Sequence, residues 1–142
     1  MQTLEQTIYT AKATTTGGRE GVSESNDGRL NIKLSTPKEL GGAGGDGTNP
    51  EQLFAAGYSA CFIGALKHVA MTEQLQLSNN INVTGEVSIG SIPQGFGIAV
   101  KLTVDLVDLD KDKAQELVTK AHMVCPYSNA TRNNIVVDFE VV

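Results

Sequence analysis

Two cysteines, Cys61 and Cys125, are the residues of this sequence best suited to covalent chemistry. One helical turn from Cys61 stand Gly57 and Gly64, so we expect little side-chain bulk around that sulfur. Cys125 precedes Pro126, at the predicted C-terminal end of another helix, where the helix dipole disfavours a thiolate. One thiol that can be activated and one that stays neutral suit a two-step reaction with a peroxide. The first would attack the O–O bond and become a sulfenic acid, and the second would condense with it.

The two thiols also allow less specific interpretations. A cysteine in the middle of a helix is often a small buried hydrophobic residue in a close-packed core. A structural disulfide between Cys61 and Cys125 would stabilise the fold by roughly 4 kcal/mol in the chain-entropy model. The pair could also act as a switch in a redox-sensing or ligand-binding module, without catalytic turnover. The residues by themselves leave these alternatives open.

A reactive thiolate at Cys61 would need a neighbouring cation, because the residue lies about eleven positions beyond the start of its own helix. The candidates are Arg19, Arg29 and Arg132. Arg19 is flanked by glycines, a mobile setting in which its guanidinium could swing over the thiol. Glu51, in the first turn of the Cys61 helix, could fix such an arginine through a bidentate ion pair. A solvated turn arginine and a carboxylate that favours the helix dipole are the simpler interpretations of these two residues.

A glycine-rich loop, residues 41–47, contains the spacing Gly-x-Gly-x-x-Gly at Gly42, Gly44 and Gly47. In a dinucleotide-binding unit such a loop opens a helix that leads to a second parallel strand. Here the next helix is about 25 residues long and no strand is predicted before Ile81, so dinucleotide binding is not favoured. We expect the loop to be a flexible hinge or lid.

Histidine and cysteine side chains raise the question of a metal site. His122 and Cys125 have the i, i+3 spacing of two ligands on one helix face. Cys61 and His68, in contrast, are separated by about 10.5 Å of helical rise, too far to bind one zinc ion. We therefore expect no metal site, with His68 and His122 as surface or hydrogen-bonded residues.

Alternation of apolar and polar residues predicts β-strands on both sides of a long helix. The first two strands are expected to form a hairpin across a turn at residues 26–28, and the next two a hairpin across residues 93–95. Each strand has a polar face, which indicates a mostly antiparallel sheet. The predicted strands are 9–16, 30–34, 81–89, 98–106 and 135–141.

Two helices are predicted to pack on this sheet. The first begins after Asn49, with Pro50 at its first position, and ends near Gln74. Its charge-free stretch of 14 residues, 53–66, is too short to span a bilayer and suits a buried helix. Because this half has no polar side, one small sheet could not cover it, and we expect a second subunit to bury the rest. The second helix begins at Asp110 and has one apolar stripe, Ala114, Leu117, Val118, Ala121, Val124 and Cys125.

Length and composition exclude several classes of protein. The chain has 142 residues, which predicts a single domain spanning 1–142. Apolar residues at 40% and charged residues at 19% are typical of a globular fold. The formal net charge of −5 has the wrong sign for binding nucleic acid or an anionic membrane surface. The first residues have no signal-peptide pattern, so a cytoplasmic protein is expected.

Several segments of the sequence, taken together, resemble the OsmC/Ohr family, and its Ohr branch more than its OsmC branch. The resemblance spans nearly the whole chain and depends most on residues 47–62, around Cys61, and on residues 124–131, around Cys125. The other matching segments are Tyr9-Thr10-Ala11, Gly17-Gly18-Arg19-x-Gly21 and Asp27-Gly28.

The resemblance implies an α+β fold in which a mostly antiparallel sheet packs on a long buried helix and an amphipathic helix, within an intertwined homodimer. It implies a thiol peroxidase that reduces organic hydroperoxides, including those of fatty acids, to alcohols. Cys61 would be the peroxidatic and Cys125 the resolving cysteine, with Arg19 stabilising the thiolate and Glu51 orienting Arg19. Dihydrolipoamide or a lipoylated protein would reduce the Cys61–Cys125 disulfide. No metal, flavin or haem cofactor is implied.

Apolar side chains near the thiol would select the substrate. The candidates are Phe54, Phe62, Phe96 and Met71. Burial of a hydrocarbon tail contributes about 0.8 kcal/mol per methylene, which hydrogen peroxide cannot obtain. We therefore expect bulky apolar hydroperoxides to be preferred over hydrogen peroxide.

Overall fold

The computed structural model describes residues 1–142 as an α+β protein, which confirms the predicted fold class. The chain forms two compact units, Met1–Pro50 and Glu51–Val142, so the prediction of one domain over 1–142 stays a prediction. The strands are β1 (Ala13–Thr16), β2 (Val22–Ser25), β3 (Asn31–Lys33), β4 (Asn82–Ile92), β5 (Gly95–Asp105) and β6 (Val137–Val141). The α-helices are α1 (Pro50–Thr72), α2 (Lys111–Val124) and α3 (Pro126–Thr131).

The first unit contains a three-stranded antiparallel sheet in the order β1-β2-β3. The prediction that strand 9–16 pairs directly with strand 30–34 was wrong, because β2 lies between them and residues 9–12 form no strand. The sequence pattern does not reveal β2, since Val22 is its one apolar residue. The predicted turn at residues 26–28 is confirmed, but it joins β2 to β3. There Asp27 accepts hydrogen bonds from Ser25 Oγ at 2.6 Å and from the Arg29 N–H at 3.0 Å.

The glycine-rich loop 41–47 folds back on the residues that precede it. The N–H groups of Gly42 and Gly44 donate to the carbonyl oxygens of Pro37 and Thr36, at 3.1 Å in each case. A Cβ atom on Gly42 would lie 2.2 Å from the Thr36 oxygen, so only glycine fits without a shift of the backbone. The loop is therefore closely packed, and its action as a hinge or lid stays a prediction.

The second unit is built on the sheet β4-β5-β6. β4 and β5 form the predicted hairpin, with a register that runs from Asn82↔Asp105 to Ile92↔Gly95. β6 begins at Val137, two residues later than predicted, and pairs with β5 in parallel. The crossover through α2 and α3 makes this parallel pairing possible. The prediction of mostly antiparallel pairing is confirmed, although the parallel edge strand was not anticipated.

α1 begins at Pro50, as predicted, and ends two residues before the predicted end. One face belongs to the core, with Tyr58, Phe62, Ala65, Leu66, Val69 and Ala70 buried. The opposite face is exposed, with apolar residues at Ala56, Ala60, Gly64 and Met71 and polar residues at Gln52, Lys67, His68 and Thr72. By length and composition alone α1 could cross a membrane, although its inner face packs in the protein core. Burial of the exposed face by a second subunit stays a prediction.

α2 packs on the sheet through one apolar face, as predicted. Its N-terminus is capped by Asp110, whose carboxylate accepts a hydrogen bond from the Lys113 N–H at 3.0 Å. The predicted apolar stripe is buried except at Val124, which is 45% exposed. Val124 was misassigned because α2 ends at this residue and the chain then turns into α3.

Candidate active site

The structure brings the two predicted thiols together. The Sγ atoms of Cys61, in α1, and Cys125, after α2, lie 3.8 Å apart. Both cysteines are free thiols, Cys61 half-buried and Cys125 fully buried. A disulfide has an S–S length of about 2.05 Å, so the two sulfurs need to approach by less than about 2 Å to form one. The pair therefore has one thiol accessible to a small molecule and a second thiol within reach of the first.

The short helix α3 was not predicted from the sequence, and it begins at the second thiol. Cys125 ends α2, where its N–H donates to the Ala121 oxygen at 2.9 Å, and it is also the N-cap residue of α3. Cys125 therefore lies at two helix ends, and the sequence predicted only the one at the C-terminus of α2. Pro126 was interpreted as a stop signal, yet proline is equally typical of the first residue of a helix.

The surroundings of Cys61 oppose its ionisation. Burial raises the pKa of the Cys61 thiol above its usual value, and the neighbouring Cys125 raises this pKa further. The backbone N–H of Tyr127, in α3, opposes the rise by donating a hydrogen bond to the sulfur. This amide is a part of the site that the sequence analysis missed, because it depends on α3. A reactive thiolate still requires a nearby cation.

Two of the three candidate arginines have partners other than the thiols. Arg29 Nε lies 3.8 Å from Asp27 Oδ2, and the Arg29 side chain is 90% exposed. Arg132 donates hydrogen bonds to Asn129 Oδ1, at 2.8 Å, and to the His122 carbonyl oxygen. Arg132 therefore braces the α2–α3 junction instead of supplying a charge to Cys61.

The third candidate, Arg19, lies in the first unit, in the short 3₁₀ turn Gly18–Glu20. Gly17 and Gly18 before it have positive φ angles of 76° and 58°, a backbone conformation that favours glycine. Glu51 is the second residue of α1, so its predicted place in the first turn of the Cys61 helix is confirmed. Glu51 belongs to the second unit, and the roles of Arg19 and Glu51 at Cys61 stay predictions.

The two histidines behave as predicted. His68 is exposed on α1. His122 Nε2 accepts a hydrogen bond from Arg132 Nε at 3.4 Å, and its ring packs edge-on against Phe139 with centroids 4.8 Å apart. Burial, together with the charge of Arg132, lowers the pKa of His122 below its usual value. This shift favours the neutral imidazole, whose ring packs against Phe139.

An apolar groove of about 460 Å³ lies beside α3. It is lined by Phe54, Ile98, Pro126, Tyr127, Ala130, Thr131, Asn134 and Ile135. The rings of Phe54 and Tyr127 meet edge to face with centroids 5.9 Å apart. Gly57 makes room for this contact, since a Cβ atom there would lie 2.8 Å from Tyr127 Oη. The Tyr127 side chain therefore lines an apolar groove, and its backbone amide contacts Cys61.

Of the four apolar residues predicted near the thiol, Phe54 alone lines this groove. Phe62 was misassigned, because it is fully buried against Phe139 with ring centroids 5.1 Å apart. Met71 was also misassigned, because ten residues of helix place it about 15 Å beyond Cys61. Phe96 is 78% exposed and lines a second groove at the tip of the β4–β5 hairpin.

The fold and the site together define a small α+β protein with a pair of neighbouring thiols. Comparison with known proteins identifies its family. A family model described as "OsmC-like protein" matches residues 42–140. The organic hydroperoxide resistance protein of Xanthomonas axonopodis pv. citri is 61% identical over 135 residues, which cover 95% of this chain and 95% of the relative. OhrB of Bacillus subtilis is 48% identical over 136 residues, 94% of this chain and 98% of the relative.

Solved structures agree with these sequence relatives. The crystal structure of Bacillus subtilis OhrB matches with a TM-score of 0.88, covering 96% of this chain and 100% of the other at 48% identity. An organic hydroperoxide resistance protein from Legionella pneumophila matches with a TM-score of 0.90 at 47% identity, covering 96% of this chain and 98% of the other. The chain belongs to the OsmC-like family, within the branch of the organic hydroperoxide resistance proteins. The family assignment made from the sequence is confirmed.

Proposed function

We propose that this protein is a thiol-dependent peroxidase that reduces organic hydroperoxides, including fatty-acid hydroperoxides, to alcohols and so contributes to organic hydroperoxide resistance. The observation that carries the proposal is the sulfur pair. A half-buried Cys61 and a fully buried Cys125 lie 3.8 Å apart in a chain of this family. The names of the relatives support the substrate class.

In the proposed first step, the Cys61 thiolate attacks the terminal oxygen of the hydroperoxide. An S–O bond forms as the O–O bond breaks, the alkoxide leaves as the alcohol after taking up a proton, and Cys61 becomes a sulfenic acid. In the second step, the Cys125 sulfur attacks the Cys61 sulfur. An S–S bond forms, the S–O bond breaks, and the hydroxide leaves as water with the proton of the Cys125 thiol. Two electrons pass from the thiol pair to the peroxide.

Arg19 and Glu51 complete the proposed site. Because burial and Cys125 raise the pKa of Cys61, the thiolate needs a positive charge to counter them. The resemblance of residues 17–21 to the Ohr branch supports Arg19 as the thiolate-stabilising cation. Glu51, in the first turn of α1, would orient the guanidinium through a bidentate pair.

The groove beside α3 suits the organic part of the substrate. Phe54, Tyr127 and Ile135 offer apolar surface within a volume of about 460 Å³. Each methylene buried there would contribute about 0.8 kcal/mol to binding. Catalytic efficiency should therefore be higher for cumene or fatty-acid hydroperoxides than for hydrogen peroxide, and equal efficiencies would contradict this use of the groove.

A thiol cycle also needs a reductant. We propose dihydrolipoamide or a lipoylated protein for this role, on the strength of the resemblance of residues 47–62 and 124–131 to the Ohr branch. Because thiols are kept reduced in the cytoplasm, that compartment is the proposed location. Steady-state peroxidase assays with dihydrolipoamide and with thioredoxin should give higher turnover with dihydrolipoamide.

A homodimer is proposed as the working form. The exposed face of α1 is apolar from Ala56 to Gly64, and large apolar residues also lie at the surface elsewhere, namely Ile8, Tyr9, Phe96 and Val136. Burial of these residues against a second copy would remove apolar surface from water. Light scattering should give a mass of twice 15.0 kDa at micromolar concentration, and a stable monomer would contradict the proposal.

Two cysteine variants test the mechanism. Cys61→Ser should not react with an alkyl hydroperoxide, because no thiolate remains to attack the O–O bond. Cys125→Ser should consume one equivalent and stop at a sulfenic acid, which excess peroxide then oxidises to sulfinic and sulfonic acids. Intact-mass spectrometry after one and after many equivalents distinguishes these products. Reaction of Cys61→Ser with an inert Cys125→Ser would reverse the roles, and a wild type that oxidises once without turnover would indicate a redox switch.

A further inference from the structure

Tyr58 is a fully buried polar residue that the proposed mechanism does not use. Its side chain is 0% exposed, and its ring lies 5.6 Å from that of Tyr127, centroid to centroid. Its hydroxyl lies 2.9 Å from Ser128 Oγ and 3.1 Å from Thr131 Oγ1, and both partners are also buried. A phenylalanine would fill nearly the same volume, so packing alone does not explain the hydroxyl.

The hydroxyl groups form one continuous chain of hydrogen bonds. Thr131 donates its proton to the Tyr127 carbonyl oxygen at 2.9 Å, so Thr131 Oγ1 is left to accept from Tyr58. Tyr58 has one proton, so its second contact must be accepted from Ser128. In this arrangement each hydroxyl donates once. A buried polar network that is satisfied in this way holds its members in one geometry.

The members of this hydrogen-bond network lie close in the chain to the two thiols. Tyr58 lies one helical turn before Cys61 on α1, and Ser128 lies three residues after Cys125. Cys61 and Tyr58 of α1 therefore both contact the segment 125–131, which contains α3. Cys61 contacts Cys125 at its start, and Tyr58 contacts Ser128 and Thr131 in its middle and at its end. Tyr127, whose N–H contacts Cys61 Sγ, lies between these two attachment points.

We propose that Tyr58 is a positioning residue whose buried hydroxyl fastens α3 to α1 and thereby holds Cys125 Sγ and the Tyr127 N–H against Cys61 Sγ. Without the hydroxyl, α3 can separate from α1 and the two sulfurs meet less often. Disulfide formation would slow, while attack on the peroxide would not need the second thiol. The catalytic consequence depends on the proposed peroxidase function, but the effect on the thiol pair does not.

The first experiment measures the thiol pair without peroxide. Wild type and Tyr58→Phe are equilibrated in glutathione redox buffers, and the Cys61–Cys125 disulfide fraction gives the effective concentration of one thiol for the other. Loss of one partner in a buried network should lower this concentration by about tenfold. Thr119→Val, which removes an exposed hydroxyl from α2, is the control and should equal wild type.

The second experiment uses excess cumene hydroperoxide. Slower disulfide formation should raise the fraction of Cys61 found as sulfinic or sulfonic acid by intact mass in Tyr58→Phe. In a Cys125→Ser background, Tyr58→Phe should also move the pH midpoint of Cys61 alkylation upward, because the Tyr127 N–H no longer stabilises the thiolate. A purely structural role for Tyr58 would leave this midpoint unchanged.

Two variants of Thr131 test the role of the Tyr58 hydroxyl if Tyr58→Phe does not fold. Thr131→Val removes the hydroxyl that accepts from Tyr58 and should reproduce the loss, whereas Thr131→Ser keeps the hydroxyl and should behave as wild type. Effective concentrations equal to wild type in Tyr58→Phe and Thr131→Val, or in Thr131→Val alone if Tyr58→Phe does not fold, would overturn the inference. A wild type that consumes no hydroperoxide would instead refute the peroxidase function, and the redox-buffer titration would still decide the role of Tyr58.

Discussion

The contact of β4 with α1 can be tested with two glycines of the same strand. Gly85 lies at a position of β4 that faces α1. A Cβ atom there would lie 2.7 Å from Ser59 Oγ and 2.9 Å from the Ala55 carbonyl oxygen. The Ala55 oxygen belongs to the backbone of α1, one to two turns before Cys61, so it cannot rotate away. Gly90 is exposed, and a Cβ atom there would contact nothing within 4 Å.

The predicted magnitude follows from comparing Gly85→Ala with Gly90→Ala. Both changes remove the same conformational freedom from the unfolded chain, which by itself stabilises by about 0.4–1 kcal/mol. Only Gly85→Ala adds a clash with a neighbouring helix, and overpacking of this kind costs about 1–3 kcal/mol. The difference between the two variants should therefore be about 2 kcal/mol, or roughly 6 °C in Tm for a chain of this size.

Thermal and urea unfolding, followed by circular dichroism at a single protein concentration, measure this difference. Gly90→Ala should unfold at or slightly above the wild-type temperature, and Gly85→Ala well below it. Equal stabilities of the two variants would refute the argument that β4 lies against the α1 backbone at Gly85. A fixed concentration is needed because the Tm of an oligomer varies with concentration.

Three further predictions concern the core, a cluster of surface charges and the proposed thiol site. Phe62→Ala should lower the free energy of unfolding by about 3–5 kcal/mol in urea, because it empties a fully buried site against Phe139; a loss below about 1 kcal/mol would contradict this packing. The free energy of unfolding should fall as pH decreases below about 4.5, because Lys120 and Lys113 lower the pKa values of Glu116 and Glu73 and these carboxylates stop stabilising the fold once they are protonated. This pH dependence should weaken in 1 M NaCl. An identical acid profile in Glu73→Gln would argue against a contribution from these four residues. Arg19→Ala and Glu51→Ala should each move the pH midpoint of Cys61 alkylation upward, measured in a Cys125→Ser background, and should each lower peroxidase turnover when Cys125 is present. Wild-type values in either variant would remove that residue from the proposed site.

The helices and the second sheet could be predicted because their signals are local. α1 begins at a proline that follows Asn49, α2 begins after Asp110, and the β4–β5 hairpin alternates apolar and polar residues along its length. Each of these features depends on residues within a few positions of one another, so backbone geometry alone is enough to interpret them. Residues 47–62 and 124–131 also identified the family, which the comparisons confirm.

What the sequence could not provide depends on contacts between distant segments. β2 was missed because four residues with one valine become a strand only when β1 and β3 lie on either side. Phe62 was assigned to the substrate pocket because the sequence does not show that Phe139 of β6 packs against it. Cys61 and Cys125, 64 residues apart in the chain, lie 3.8 Å apart only because α2 and α3 return the chain to α1. The amino-acid types determine which side chains can do thiol chemistry, whereas burial, the sulfur distance and the Tyr127 N–H belong to the tertiary structure, since a pKa and a reaction distance are set by neighbours in space.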